Sequence, residues 1–315
     1  MPILAVPFVE QQLVARDLSM VDTRTLAFRS LDGRYPFSVD DRTFIFGPDS
    51  EGLDMPPRQI ITRAIPGMEG ERLTEIRVDK REVFLPFVIN SAASGGHLAH
   101  LAMRDELAQL FNHRRNDYRA DDGTLDLVAT SARGERSLRC TYVDGMTATR
   151  APSERAYHQR LGVTLWAVRP YWSGQQWSTP VIRIPDQGDW FDTFPGVLTS
   201  SSAIGQDLQV TVEGDAESWA TVDLVGPASS VVITGPGLSV TISGGLSAGE
   251  QARIVTNPRG RTAKFSGIKD WSRVAASDRY RPLNPGDNVL NVSMIGATGQ
   301  SSAVVFGSAQ FERPW

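Results

Sequence analysis

From about residue 177 to the C-terminus, apolar and polar residues alternate in short runs, and turn residues interrupt the runs at regular intervals. Leu208, Val210 and Val212 alternate with Gln209, Thr211 and Glu213. Leu238, Val240 and Ile242 alternate with Ser239 and Thr241. A period of two sends neighbouring side chains to opposite faces, so each run buries one face of a sheet and wets the other. Residues 219–224, 231–233, 252–255, 289–294 and 303–311 continue the series. Gly235-Pro236-Gly237, Gly244-Gly245 and Pro285-Gly286-Asp287-Asn288 separate them with turn chemistry, and no helical period of useful length intervenes. Strands recurring every ~8–12 residues predict an antiparallel β-sandwich over residues 177–315.

The stretch 1–176 is also mainly β, with one main helix. Ile76 and Val78 alternate with Glu75, Arg77 and Asp79, which predicts a half-buried strand. Residues 83–89 form a more continuous apolar strand, in which Pro86 argues for an edge or a bulge. Met103, Leu107, Leu110 and Phe111 make an apolar stripe at helical spacing, predicting a helix over 97–113. Asp105, Glu106 and Gln109 fall on its other side, and Arg114, Arg115 and Asn116 suit its C-terminal end. Strands follow at 125–129, 137–143 and 161–168. The polar run Ser173-Gly174-Gln175-Gln176 reads as the junction between the two domains.

A chain of 315 residues accommodates two domains of this size. The formal charge of −4 supplies no basic field for nucleic acid. Lys80, Lys264 and Lys269 are the only lysines among 32 basic residues, which reads as the codon bias of a GC-rich genome. Cys140 stands alone, which rules out a disulfide within the chain and a Cys-based zinc site. The start, Met-Pro-Ile-Leu-Ala-Val-Pro, lacks a basic segment and is broken by Pro7, unlike a secretion signal. No stretch approaches the ~18–20 apolar residues of a membrane span.

Motifs that could carry catalysis fail on context. Gly245-Leu246-Ser247-Ala248-Gly249 spells a nucleophile elbow, but that turn needs a following helix and a later His, and no His lies beyond His158. A β-turn is the expected reading. His97 and His100 share a helix face, whereas His113 points ~140° away from His100 at ~100° per residue. These histidines are expected to be polar residues at the helix start and edge, not metal ligands. Asp40-Asp41 and Asp121-Asp122 lie in turn-like contexts, and neighbours on an extended chain face opposite ways, so they do not pair for glycoside chemistry. No phosphate-binding glycine loop occurs, and Asn291-Val292-Ser293 lies within a predicted strand. No catalytic residue, metal ligand or cofactor is therefore assigned, and the chain is not expected to be an enzyme. Aromatics crowd the junction: Trp166, Tyr171, Trp172, Trp177 and Trp190. Such a cluster seals an interface or, if exposed, stacks on sugars.

The segment Gly162-Val163-Thr164-Leu165-Trp166-Ala167-Val168-Arg169-Pro170-Tyr171-Trp172 is a strand running into a Pro-aromatic-Trp corner. With the junction and sandwich after it, it resembles the distal tail protein family of long-tailed, siphovirus-type phages. Arg81-Glu82-Val83-Phe84-Leu85-Pro86 is similar to the family's strand before its helix, residues 98–111 to that helix, and Ser137-Leu138-Arg139-Cys140-Thr141-Tyr142 to the strand after it. Gly249-Glu250, Arg253-Ile254-Val255-Thr256-Asn257 and Gly260-Arg261 resemble a family hairpin. Leu283-Asn284-Pro285-Gly286-Asp287-Asn288-Val289-Leu290 resembles the approach to a late strand. Residues 1–20 and 196–205 match no family feature, and no long insertion carries an added receptor-binding module.

The resemblance implies a virion structural protein of the tail tip or baseplate, assembled in the host cytoplasm. It implies a homohexameric ring that joins the tail tube protein to the tail-tip hub or a tail-associated protein. Residues 1–176 would make the ring and 177–315 a galectin-like sandwich outside it. DNA would pass through the lumen without specific binding, and no membrane or cofactor would be involved. Strands of the first domain are expected to pair or pack across subunits, because many strands with little helical cover leave edges that a closed ring satisfies. The alternatives are a carbohydrate-binding adhesion module recognising the host surface through the junction aromatics, and a tail-associated hydrolase.

Overall fold

The structure, a computed structural model, describes residues 24–31, 36–38, 44–46, 49–67, 69–92, 95–112, 123–146, 158–183 and 203–315. In the first half the order is β1 (Thr25–Ser30), β2 (Pro36–Ser38), β3 (Phe44–Phe46), β4 (Arg58–Ala64), β5 (Glu71–Val78), β6 (Arg81–Asn90), α1 (His97–Leu110), β7 (Leu125–Ser131), β8 (Gly134–Asp144), β9 (His158–Ala167) and β10 (Trp172–Ser178). One sheet runs β2-β1-β7-β8 and the other β3-β6-β9. Strand β8 belongs to both: Gly134–Cys140 pairs with β7 and Thr141–Asp144 with β9, with a register shift between Tyr142 and Asp144. The two sheets therefore fold over each other at β8. Phe28, Leu127 and Leu138 from one sheet and Leu85, Phe87 and Val163 from the other fill the space between them. Helix α1 closes the open end with Leu107, Leu110 and the adjoining Phe111. Phe111 meets Phe28 edge-on at 5.5 Å and stacks on Tyr142 at 5.0 Å, geometries that aromatic quadrupoles favour.

The second half contains β11 (Ile182–Arg183), β12 (Ala203–Val212), β13 (Thr221–Val225), β14 (Ser230–Gly235), β15 (Leu238–Ile242), β16 (Gln251–Val255), β17 (Thr262–Phe265), β18 (Ile268–Lys269), β19 (Gly286–Ile295) and β20 (Ser302–Phe311). A four-stranded antiparallel sheet, β12-β19-β14-β15, faces the sheet β18-β17-β16-β13-β20. The alternating runs bury the residues that the period of two selects: Leu208, Val210 and Val212, and Leu238, Val240 and Ile242, all lie in the core. The fold is mainly β, with a sandwich in its second half and one α-helix among the described residues. The Gly245–Gly249 sequence is a turn leading into β16, with the Ser247 amide donating to Glu250 Oε2.

Three details differ from expectation. Pro86 sits inside β6 opposite Gly162 of β9, with no bulge. It shares the parity of Phe84, whose backbone amide and carbonyl bond Glu51 and not β9. The N–H that proline lacks would thus point away from the β6–β9 ladder, which stays intact. His100 is buried, because it shares the inward face with Met103 and Leu107, and its Nε2 lies 3.0 Å from Gln159 Oε1. Strand β5 is exposed along its length except at Val78, which is partly buried. His113, Arg114, Arg115, Asn116, Asp40, Asp41, Asp121, Asp122 and Trp190 lie outside the described residues.

Strands β10 and β20 join the halves. Strand β10 touches β8 at Ser173↔Ser137 and follows β20 along its length, with a bulge between Ser173 and Gln176. The expected junction at 176/177 falls inside this strand. Beyond β20 the chain returns to the first core: Phe311 and Trp315 pack against it, and Arg136 lies over the Phe311 ring at 3.6 Å while donating to the Arg313 carbonyl. The Arg81 guanidinium, fully buried, holds this corner. Its Nε donates to the Pro170 carbonyl (2.9 Å), Nη1 to those of Gly52 (3.0 Å), Leu53 (2.6 Å) and Asp54, and Nη2 to that of Glu312 (2.7 Å). Burial pushes its pKa down to about 10, with the Asp54 and Glu312 carboxylates among the charges that oppose the shift. It remains protonated at neutral pH. Gly52 adopts φ +76°, and a Cβ there would strike the Glu82 carbonyl, so the tight turn that aims three carbonyls at Arg81 requires glycine.

Replacing Arg81 by Ala strands these carbonyls and is expected to cost about 3 kcal/mol or more in urea unfolding. Arg81→Lys is expected to recover little, because an ammonium lacks the planar fork of donors. Wild-type stability in the Lys variant would show that the corner does not depend on that geometry.

Candidate functional site: a bare hairpin and an aromatic cleft

Strands β4 and β5 form a two-stranded sheet of their own. Their register places Ile60 opposite Ile76 and Thr62 opposite Leu73, so these side chains share a face with Arg58, Ala64, Val78 and Glu71, to which Thr62 donates. Gln59, Ile61, Arg63, Arg72, Glu75 and Arg77 are registered on the other. The first face is the apolar one, yet Ile60 is 65%, Leu73 53% and Ile76 52% exposed. Leaving such side chains in water forgoes about 1.5–3 kcal/mol each relative to full burial. A lone two-stranded hairpin is marginal in water, so the amphipathic pattern implies a cover from outside the described residues. On the polar face Arg77 donates to both Glu75 oxygens, at 2.7 and 2.9 Å, and thereby holds the Glu75 carboxyl below its usual pKa. This pair is open to solvent and screened, so it adds little to the hairpin's stability. The base is better fixed: Asp79 N–H donates to the Pro57 carbonyl, and Arg58 pairs with Glu312 at 2.6 Å.

The junction aromatics do not gather into one cluster. Trp172 is buried in the first core, its Nε1 donating to the Leu53 carbonyl at 3.2 Å. Trp177 is buried in the second core, its Nε1 donating to Ser218 Oγ at 2.8 Å. Neither presents a ring face to a sugar. Trp166 is 37% exposed, but Lys80 Nζ lies 3.4 Å from its ring centroid and Glu82 accepts its Nε1–H. Tyr171, half-buried, lines an open cleft. Burial, and next the nearby Glu312 carboxylate, raise its pKa, so its hydroxyl keeps its proton at neutral pH.

That cleft, of about 820 Å³, lies along the β10–β20–β13 surface between the two halves. Tyr171, Trp219 and Phe306 supply its aromatic surfaces, all three half-buried. Gln176, Glu217, Asn257 and Asn284 supply polar walls, with Arg169, Arg259, Asp215 and Glu312 adding charge. The sequence reading missed Trp219 and Phe306. A signal for Phe306 exists: Ala303 and Val305 point inward, so the period of two puts a large aromatic on the outer face. Gly307 beside it is required by close approach, since a Cβ there would meet the Trp177 ring and the Trp219 carbonyl. Among the described residues no three His, Cys, Asp or Glu side chains assemble as metal ligands. No described helix is long and apolar enough to cross a membrane.

Cys140 is fully buried on β8, and burial pushes its thiol pKa well above the ordinary value. Native protein is expected to leave a thiol reagent such as dithionitrobenzoate unreacted, with one thiol titrating on unfolding. Prompt reaction of the native protein would contradict the packing of β8.

No protein-family model and no curated protein matches the chain. Solved structures do match its fold. The crystal structure of SPP1 Dit (gp 19.1), a paradigm of the hub adsorption apparatus in phages infecting Gram-positive hosts, aligns with a TM-score of 0.57 at 12% identity, over 91% of this chain and 99% of that one. The phage P2 baseplate in its activated conformation with Ca aligns with a TM-score of 0.54 at 8% identity, over 92% of this chain and 99% of that one. Its form with Sr gives 0.52 at 8% identity, over 90% and 97%. The chain therefore shares, nearly end to end, the fold of SPP1 Dit and of a phage baseplate component.

Proposed function

We propose that this protein is a structural component of a phage tail tip, a distal tail protein, and that it works by assembly and not by catalysis. Copies of the chain close a six-membered ring through residues 1–176, and residues 177–315 form a galectin-like sandwich outside it. The ring joins the tail tube protein to the tail-tip hub or a tail-associated protein. The observation that carries this reading is the apolar side of β4–β5, where Ile60, Leu73 and Ile76 stay exposed among the described residues. Such a face can dock on a different surface of a neighbouring copy, and head-to-tail contacts of that kind generate a ring when the rotation closes. The hairpin also leaves its two outer backbone edges unpaired by any described strand, which a neighbour's strand or loop would blunt. The shared fold with SPP1 Dit and the P2 baseplate supports the tail location. A net charge of −4 supports passage of DNA through the lumen without grip, since a basic wall would hold phosphates by counterion release.

The test is the mass of the full-length protein at micromolar concentration, alone and with tail-tube and hub proteins. The expected wild-type species is a hexamer. Ile60→Asp combined with Ile76→Asp is expected to reduce it to monomers while leaving the melting transition in place, because exposed positions cost little in the folded chain. A wild-type protein that stays monomeric even with both partners present would overturn the reading.

A further inference from the structure

We propose that the cleft between the two halves binds a neutral oligosaccharide, with Trp219 and Tyr171 as stacking platforms and Glu217 as the main hydroxyl acceptor. Its 820 Å³ lies within the usual range of ligand clefts, about 300–1,000 Å³. A sugar ring has a flat C–H face and a rim of hydroxyls. It therefore asks for aromatic faces beside carboxylates and amides, and this cleft offers both. Tyr171, Trp219 and Phe306 remain partly open to solvent although each is large. The Glu217 carboxylate and the Trp219 indole N–H have no hydrogen-bond partner among the described residues, and Gln176, Glu217 and Asn284 are exposed on the walls. These groups can exchange water for sugar hydroxyls without breaking any contact that holds the fold.

The same geometry disfavours the other classes of ligand. Strand β20 pairs with β10 over its cleft-lining end, Phe306–Phe311, and with β13 over Ser302–Phe306, and the Asp215 and Ala216 N–H groups donate to the Gln310 carbonyl beyond β13, so little edge is left to take up a peptide as an added strand. Asp215 and Glu217 balance Arg169 and Arg259 among the lining residues, and Glu312 is paired with Arg58, so the cleft carries no net positive field to select phosphates or acidic sugars. The buried Trp172 and Trp177 shape the site from behind, as core residues under β10 and β20, and do not touch the ligand. This inference does not rest on ring formation, because every residue it uses belongs to one chain.

The experiment is titration of full-length protein with a panel of neutral hexose and N-acetylhexosamine tetrasaccharides, read by calorimetry and tryptophan fluorescence. The expected result is saturable binding by at least one class, weakened by about tenfold or more in both Trp219→Ala and Glu217→Ala, and unchanged in Trp166→Ala. Glu217 is exposed, so its variant keeps the test decisive if Trp219→Ala folds poorly. No saturable signal from any member of the panel, or binding that survives both substitutions, would overturn the proposal. Measuring mass on the same samples separates this failure from a failure of ring assembly.

Discussion

One buried guanidinium organises the junction between the two halves. Taking a charge out of water costs several kcal/mol even after relaxation, and Arg81 offsets this without a carboxylate contact, by donating to five backbone carbonyls. Those carbonyls come from three distant places: the turn at 52–54, Pro170 just before β10, and Glu312 just after β20. The arrangement therefore fixes where β10 enters and where β20 leaves. Trp172 reinforces it by donating to the Leu53 carbonyl from the same corner.

The two surfaces without a described partner both start at this corner. The hairpin is anchored through Arg58 to Glu312, whose carbonyl Arg81 holds. The cleft is bounded by Tyr171 and Glu312, on the chain segments that Arg81 draws together. A rigid corner with one apolar arm and one aromatic hollow suits a protein whose work is to hold neighbours at set angles.

Much of the sandwich was legible in the sequence because alternation reports burial directly: Leu208–Val212 and Leu238–Ile242 needed no tertiary information. The hairpin was only half legible. Ile76 and Val78 announce an apolar face, but a period of two does not say whether the cover comes from the same chain or another. Pro86 misled for a related reason, since a missing N–H matters only on the side where the ladder runs, and strand parity is a property of the pairing. The junction aromatics misled by proximity in sequence. Trp172 and Trp177 are five positions apart yet enter different cores, because β10 passes from the first half into the second: Trp172 lies opposite Phe311 and Trp177 opposite Gly307, toward the other end of the pairing. Trp219 and Phe306 lie far apart in the chain, and only the pairing of β13 with β20 brings them to one cleft.

The central claim is that these sheets function by closing on copies of themselves around a channel. Imaging purified full-length particles by electron microscopy tests it most directly. The account requires six-fold rings with a lumen wide enough for a DNA duplex about 20 Å across. Compact single-chain particles, or closed assemblies with no axial opening, would contradict it.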